Sequence, residues 1–202
     1  MKDTIVVDLD GTLSDCSARR YLVEGQHRDY EAFHERCDQD PVNEPVATTI
    51  AAMIMARFRI VLVSARPSST NEKTLAWLQK NEIAFHELFL LRGDGSEPDQ
   101  DLKKQWLEDW EEANGKGRIL FVLDDRQKVV DTWRALGLTC FQVASYNEQP
   151  KSMVTLARLV LDLVEERDRC GPTWSGAYRE LHERVRKVCS RALGLEVKRA
   201  PQ

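Results

Sequence analysis

Residues 5–12 of the chain read Ile5-Val6-Val7-Asp8-Leu9-Asp10-Gly11-Thr12. The first three residues are β-branched and apolar, which predicts a short strand buried on both faces. Two aspartates and a glycine follow this strand. Alternate residues of an extended segment point the same way, and Gly11 permits a sharp turn. We therefore expect Asp8 and Asp10 to face one point beyond the strand, as a nucleophile and a neighbouring proton-transfer group would.

Four more apolar segments predict strands, and the amphipathic segments between them predict helices. The further strands are expected at 60–63, 85–91, 119–123 and 138–143. The helices are expected at 46–58, 71–81, 101–113 and 127–136. Strands that alternate with helices indicate a mostly parallel sheet covered on both faces. The predicted fold class is therefore α/β, a Rossmann-like three-layer sandwich with a five-stranded sheet.

Two parts of the chain fall outside this alternation. Residues 14–45 are polar and irregular, which predicts a small helical cap insertion within a domain of residues 1–150. Residues 151–202 predict a helical C-terminal extension, with helices at 152–168 and about 174–193. The apolar stripe of its first helix would pack on the sheet domain or form a homodimer.

Composition and charge exclude several classes of protein. The 202 residues are 42% hydrophobic and 31% charged, as in an ordinary soluble globular protein. The net charge is −4, which divides into −8 for residues 1–150 and +4 for residues 151–202. No global basic field attracts long nucleic acid or an acidic membrane. No apolar run is long enough to span a membrane, no signal peptide is evident and the five cysteines lack paired spacing, so a cytoplasmic location is expected.

Polar residues follow several of the predicted strands. Ser64-Ala65-Arg66 follows the second strand, Asp124-Asp125 follows the fourth, and Lys103-Lys104 begins the helix after the third. The carboxyl ends of parallel strands meet at one edge of a sheet, where ligands bind. Four carboxylates together resist ionisation without a cation, and oxygen ligands alone favour Mg²⁺. The hydroxyl, arginine and lysine beside them predict a site for an anionic group such as phosphate.

The order of these motifs resembles that of the haloacid dehalogenase (HAD) superfamily over about residues 4–143. Two stretches are also similar to the phosphatase domain of phage polynucleotide kinase/phosphatase: residues 37–45, Cys-Asp-Gln-Asp-Pro-Val-Asn-Glu-Pro, and residues 124–134, Asp-Asp-Arg-Gln-Lys-Val-Val-Asp-Thr-Trp-Arg. The kinase phosphate loop G-x-x-x-x-G-K-[ST] does not occur in the sequence. The resemblance is therefore to the phosphatase domain alone.

The resemblance implies catalytic roles. Asp8 would be the nucleophile that forms an aspartyl-phosphate, and Asp10 would protonate the leaving oxygen and then activate water. We expect the acidic surroundings to keep Asp10 protonated for the first step. Ser64 and Lys104 would bind the phosphate, with Lys103 as the alternative lysine.

The resemblance also implies metal and substrate ligands. Mg²⁺ would be held by Asp8, by Asp10 through its backbone carbonyl, by Asp124 and by the nearby Asp125. The predicted substrate-binding residues are Gly11, Thr12, Arg20, Arg66 and Arg92, with Arg19 as an alternative to Arg20.

Three functions are compatible with this pattern. The resemblance favours a Mg²⁺-dependent phosphatase that acts on nucleic-acid ends, with the 3′-phosphate preferred. A nucleotidase on free (deoxy)nucleoside monophosphates is the first alternative, because the domain is acidic and no long basic groove is evident. A non-catalytic HAD-fold binding module is the second. The small cap would leave the site open, and Tyr21, Tyr30 and Phe33 would either stack on a base or pack the cap onto the core.

Overall fold

Five strands form a single sheet in this computed structural model, which describes residues 2–24, 27–93 and 95–144. Their order across the sheet is β3-β2-β1-β4-β5, and every neighbouring pair is parallel. The predicted α/β fold with a five-stranded sheet is confirmed. The strands are β1 (Thr4–Val7), β2 (Arg59–Pro67), β3 (Glu87–Arg92), β4 (Ile119–Asp124) and β5 (Cys140–Gln142).

Helices cover both faces of the sheet. Helix α1 (Tyr30–Glu35) lies in the insertion after β1. Helices α2 (Glu44–Met55) and α3 (Asn71–Lys80) pack on one face, and α4 (Asp99–Asn114) and α5 (Gln127–Ala135) pack on the other. The chain builds β2 and β3 on one side of β1 and then returns to build β4 and β5 on the other. Right-handed crossovers in opposite directions therefore place the two pairs of helices on opposite faces.

The reversal of strand order creates a crevice at the carboxyl ends of β1 and β4. These two strands are neighbours, and their connections leave toward opposite sides of the sheet. A crevice of this kind is where open α/β sheets bind their ligands. Asp8 follows β1 directly and Asp124 is the last residue of β4, so the fold brings both carboxylates to this crevice.

Two of the element boundaries that differ from the prediction have clear local reasons. The helix predicted over 46–58 ends at Met55, because Arg57 adopts a left-handed backbone with a φ of 67°. The amide of Phe58 then donates to the carbonyl of Met53 at 2.9 Å, which closes the helix. Strand β2 extends to Pro67, so Ser64 lies within the strand instead of following it.

Two short helices lie in the predicted cap insertion. A 3₁₀ helix spans Cys16–Leu22, and it packs against α1. The carboxylates of Asp15 and Asp29 accept hydrogen bonds from backbone amides at the starts of these two helices. We call residues 14–45 the cap.

The predicted C-terminal extension, its two helices and the proposed homodimer lie outside the described residues. Within residues 2–24, 27–93 and 95–144, no helix combines the length and apolar character needed to cross a membrane.

Trp77 provides a test of how the cap is attached to the core. Its indole is 2% exposed, and Nε1 donates to the carbonyl oxygen of Asp40 at 2.8 Å. We expect Trp77→Ala to lower the free energy of unfolding by about 3–5 kcal/mol, because it empties a core position and leaves a buried carbonyl unpaired. Leu75→Ala, on the exposed side of the same helix, should cost roughly 0.5 kcal/mol or less. Urea denaturation measures both, and equal losses would contradict this role for Trp77.

Candidate active site

Three buried carboxylates meet at the crevice between β1 and β4. One oxygen each of Asp8, Asp124 and Asp125 lies within 4.8 Å of the others. The parallel pairing of the two strands creates this group, and the amide of Asp8 donates to the carbonyl of Leu123 at 3.0 Å. The side chain of Asp124 is held in addition by Trp133, whose Nε1 donates to Oδ2 at 3.2 Å.

Lys103 is the lysine that reaches this group. Its Nζ lies 2.7 Å from Asp8 Oδ1 and 2.7 Å from Asp124 Oδ2, and its side chain is buried. Lys104, which the sequence comparison favoured, lies exposed on α4. That choice of lysine does not fit the structure, because consecutive residues of a helix differ by about 100° in direction. Lys103 shares the buried side of α4 with Trp106 and Leu107.

Gly11 is required by the close approach of Asp125. Its φ is +87°, and a Cβ built at this position would lie 2.2 Å from Asp125 Oδ2. Both the left-handed backbone and the lack of space exclude a side chain. Gly11 therefore lets the loop after β1 turn beneath the carboxylate group.

Asp10 belongs to a second cluster, in which its neighbours are arginines. Arg66 Nε lies 3.1 Å from each Asp10 oxygen, and Arg66 Nη2 lies 2.7 Å from Oδ1. Arg19 also donates to Asp10 Oδ1 and lies 2.8 Å, through Nε, from Asp40 Oδ1. Arg66 is fully buried, so the structure places it against Asp10 and away from solvent.

Arg19 and Arg20, the two candidates for a substrate-binding arginine, occupy different positions. Arg19 is buried and joins the cap to Asp10. Arg20 lies at the other cluster, that of the three buried carboxylates, where its Nη2 is 3.5 Å from Asp125 Oδ2. Both arginines thus reach the crevice, but they contact different carboxylates.

The remaining predicted site residues lie around these clusters. Ser64 is buried, and its Oγ accepts a hydrogen bond from the amide of Arg66 at 3.3 Å. Thr12 is buried, and within the described part of the chain its Oγ1 has no hydrogen-bond partner. Arg92 donates to Ala65 O at 3.1 Å and pairs with Asp99 at the start of α4.

Comparison with known families identifies this arrangement. The family model described as the polynucleotide kinase PNKP phosphatase domain, of the HAD type, matches residues 2–147. The chain belongs to this family. The resemblance inferred from the sequence is confirmed, and the chain is a HAD-type phosphoric monoester hydrolase.

Solved structures similar to this HAD phosphatase include two from Pnkp1/Rnl/Hen1 complexes. The first is 35% identical with a TM-score of 0.58, and the match covers 71% of this chain and 46% of that chain. The second, described as an RNA repair complex, is 32% identical with a TM-score of 0.60, and the match covers 72% of this chain and 43% of that chain. The chain therefore spans less than half the length of these two similar proteins.

A third solved structure shares the fold alone. CbbY from Rhodobacter sphaeroides, in complex with phosphate, is 15% identical with a TM-score of 0.50. The match covers 75% of this chain and 91% of that chain.

The carboxylates at the crevice of this HAD phosphatase are hard to ionise together. Burial raises the pKa of Asp8 above its usual range, and the charge of Asp124 adds to this shift while Lys103 opposes it. Burial also raises the pKa of Asp125 well above its usual range, with Asp8 and Asp124 adding to the effect. Burial alone would lower the pKa of Lys103, but Asp124 and Asp8 raise it, so this lysine stays charged. Lys103 and Arg20 supply two positive charges beside three carboxylates, and a further cation would stabilise their ionised forms.

The donor set fits a small, hard metal ion. Asp8, Asp124 and Asp125 supply carboxylate oxygens that are close together and buried, which is the ligand chemistry that Mg²⁺ prefers. The side chain of Asp10 is outside this group, because Arg66 and Arg19 hold it.

Asp10 has the opposite electrostatic environment. Burial alone would raise its pKa, but the charges and hydrogen bonds of Arg66 and then Arg19 hold the pKa well below its usual range. The expectation that acidic neighbours keep Asp10 protonated is therefore wrong. Its neighbours are guanidinium groups, which favour the ionised carboxylate.

The sequence analysis missed three members of the site. Asp40 holds Arg19 in place, and Asp99 pairs with both Arg92 and Arg126 at the rim of the crevice. Spacing could have pointed to Asp99, because it lies four residues before Lys103 and so on the same side of α4. Spacing could also have selected Lys103, which lies three residues before Trp106 on the buried stripe. No local pattern marks Asp40 or Arg126.

Gly11→Ala tests the close approach of the nucleophile loop to Asp125. Gly137→Ala is the matched control, because Gly137 has a similar φ of +82° but nothing within 4 Å of a built Cβ. Both variants should carry the left-handed backbone strain of roughly 1 kcal/mol, but only Gly11→Ala should also displace Asp125. We expect a larger loss of unfolding free energy in Gly11→Ala, together with at least a tenfold loss of phosphate release that Gly137→Ala does not show. Similar behaviour of the two variants in urea denaturation and activity assays would contradict the crowding at Gly11.

Proposed function

We propose that the chain removes the terminal phosphate from nucleic-acid ends, with the 3′-phosphate preferred, in a Mg²⁺-dependent reaction through an aspartyl-phosphate. The observation that carries the proposal is the pair of clusters at the β1 end: a nucleophile candidate, Asp8, beside Lys103, and a proton-transfer candidate, Asp10, beside two arginines. The family match supports the reaction class, and the RNA repair complex among the similar structures supports the class of substrate.

Asp8 is the proposed nucleophile. Its carboxylate is buried at the end of β1, and Lys103 holds one oxygen through a 2.7 Å contact. In the first step, an Asp8 oxygen forms a bond to phosphorus while the bond from phosphorus to the ester oxygen breaks. In the second step, water attacks the same phosphorus, and the Asp8 carboxylate is released together with inorganic phosphate.

Asp10 is the proposed acid and base. Because Arg66 and Arg19 keep it ionised, Asp10 must first take up a proton from solvent, which it gives to the departing ester oxygen; it then takes a proton from the attacking water. The ionised state that Arg66 and Arg19 impose is the state required for the second of these transfers. Arg66 is fully buried against Asp10, so we assign it to positioning this carboxylate and not to binding the polynucleotide directly.

The phosphate would be held by groups around the crevice. Ser64 and Lys103 are the proposed ligands of its oxygens, and the hydroxyl of Thr12 is available at the loop beside Gly11. Arg20, which contacts Asp125, and Arg92, which pairs with Asp99, are proposed to contact the substrate next to the scissile phosphate. Asp8, Asp124 and Asp125 would hold Mg²⁺, with the backbone carbonyl of Asp10 as the further ligand that the family resemblance implies. The metal, when bound, would offset the repulsion between these carboxylates and the phosphate.

A nucleotidase acting on free nucleoside monophosphates is the second candidate. The net charge of −8 for residues 1–150 favours it, because a long polyanion gains little attraction from an acidic domain. The non-catalytic alternative is weaker. Burying the charged side chains of Asp8, Lys103 and Asp124 costs free energy, and a module that only binds a partner does not need them. We also propose a cytoplasmic location, with which the free thiols of Cys16, Cys37 and Cys140 agree.

Phosphate release from a substrate panel tests this function. The panel contains 3′- and 5′-phosphorylated mononucleotides and oligonucleotides, each measured with Mg²⁺ and with a chelator. We expect Mg²⁺-dependent release that is fastest from 3′-phosphorylated oligonucleotides and lost in Asp8→Asn, which keeps the size of the side chain but removes the nucleophile. Preference for mononucleotides would favour the nucleotidase, and no release by the folded protein from any substrate would overturn both.

Lys103→Met and Lys104→Met form a matched pair that tests the choice of lysine. The first change removes a buried ammonium that contacts two carboxylates, and the second changes an exposed residue of the same helix. We expect kcat/KM to fall about a hundredfold or more in Lys103→Met, and to change less than about threefold in Lys104→Met. The opposite ranking would return the role to Lys104.

A further inference from the structure

The cap carries two exposed tyrosines on its outer surface. Tyr21 is 60% exposed and Tyr30 is 52% exposed. Among the described residues, the exposed large apolar or aromatic side chains are those of Tyr21, Tyr30, Leu75 and Leu136. The two tyrosines are the aromatic ones and the most exposed of the four. Phe33, the third aromatic residue of the cap that the sequence analysis considered, is instead buried, with the guanidinium of Arg19 4.0 Å from its ring centre. The structure thus separates one packing ring from two that face solvent.

Each exposed tyrosine is paired with an arginine. Arg36 Nη1 donates to the hydroxyl of Tyr21 at 3.1 Å, and Arg28 Nη1 donates to the hydroxyl of Tyr30 at 3.3 Å. Both contacts are made by the hydroxyl groups, so they place a positive charge at that end of each ring. We call these four residues the tyrosine–arginine surface.

This surface belongs to the insertion that also contacts the active site. Tyr21 follows Arg20, which contacts Asp125 in the crevice. Arg36 precedes Cys37, whose carbonyl oxygen accepts a hydrogen bond from the buried Arg66 at 3.4 Å. The 3₁₀ helix that carries Tyr21 packs against α1, which begins at Tyr30. The backbone that carries the surface is thus joined to the crevice through neighbouring residues.

We propose that the tyrosine–arginine surface binds the unpaired nucleotides that precede the terminal phosphate of a single-stranded polynucleotide. Bases stack on the rings of the exposed Tyr21 and Tyr30, and Arg28 and Arg36 attract the backbone phosphates. Stacking accepts any base, so this surface confers a preference for strand length without a preference for sequence. The contacts are local, which reconciles polynucleotide binding with the negative charge of the domain as a whole.

Charges of both signs lie near the surface. Glu35, the acidic residue next to Arg36, is paired with Lys73 of α3. Glu24, near Tyr21, lies 3.7 Å from Arg20. Asp29 and Glu31 flank Tyr30 and are exposed, and Asp29 accepts a hydrogen bond from the amide of Ala32. The attraction for phosphate therefore comes from Arg28 and Arg36 themselves and not from a positive field of the whole cap.

The inference rests on the proposed phosphatase function, and it is tested by the ratio of two specificity constants. One is kcat/KM for a 3′-phosphorylated tetranucleotide, and the other is kcat/KM for the corresponding 3′-phosphorylated mononucleotide. We expect the wild-type ratio to exceed one. It should fall about tenfold in Tyr21→Ala and in Tyr30→Ala, mainly through KM for the longer substrate. Tyr21→Phe and Tyr30→Phe, which keep the ring and lose the hydroxyl, should retain most of the ratio.

One control variant and one further variant of the surface complete the test. Leu75→Ala changes an exposed apolar residue of α3 outside the cap and should leave the ratio unchanged. Arg28→Gln with Arg36→Gln should lower the ratio and also weaken its dependence on salt concentration.

The outcomes separate the two proposals. If the wild-type protein releases no phosphate from either substrate, the proposed function fails. If it releases phosphate from both but the ratio is near one, or if the alanine variants retain the wild-type ratio, the phosphatase function stands and the tyrosine–arginine surface is rejected. A lower ratio in the alanine variants, with the phenylalanine variants close to wild type, supports stacking on this surface.

Discussion

The contact of Lys103 with Asp8 and Asp124 is the interaction on which the active site depends. The sheet topology forces carboxylates from β1 and β4 into one buried crevice, and buried charges are costly unless they are paired. Lys103 lies on α4, and its ammonium group pairs with one carboxylate from the end of each of these two strands. The long apolar stem of the lysine lies with Trp106 and Leu107 on the buried stripe of α4. The packing of α4 therefore also determines where the ammonium group of Lys103 lies in the crevice.

A second set of ion pairs gives the two aspartates of the first motif different electrostatic environments. Asp8 faces carboxylates and a lysine, whereas two residues later Asp10 faces Arg66 and Arg19. The result is a raised pKa for the first and a lowered pKa for the second. The ionised form of Asp10 suits the proposed base of the hydrolysis step, whereas Asp8 must lose its proton to act as a nucleophile, which a cation beside the three carboxylates would favour. The cap contributes directly, because Arg19 joins Asp10 to Asp40 across the base of the insertion.

The fold could be predicted from local patterns because strand and helix periodicities are local properties. Five strands, four of the helices and the parallel arrangement followed from apolar runs and their spacing. The motif after β1 was interpreted as the chemical centre because the carboxyl ends of parallel strands share one edge, and the structure places Asp8 at that edge beside Asp124. The ends of elements were less predictable. The helix α2 ends early because Arg57 adopts a left-handed conformation, and β2 continues through Ser64 because it pairs with β3 to its end.

The sequence by itself determined the order of the motifs, the family to which they belong and the class of reaction that they imply. These follow from residue type and spacing along the chain. Only the tertiary structure decided which lysine enters the crevice, which cationic partners ionise Asp10 and which cap aromatics face solvent. Each of these depends on side chains far apart in sequence, such as Lys103 and Asp8 or Arg66 and Asp10, whose distance is set by packing between helices and sheet. Local patterns carry no information about that distance, so the electrostatic environment of the site emerges only when the chain is folded.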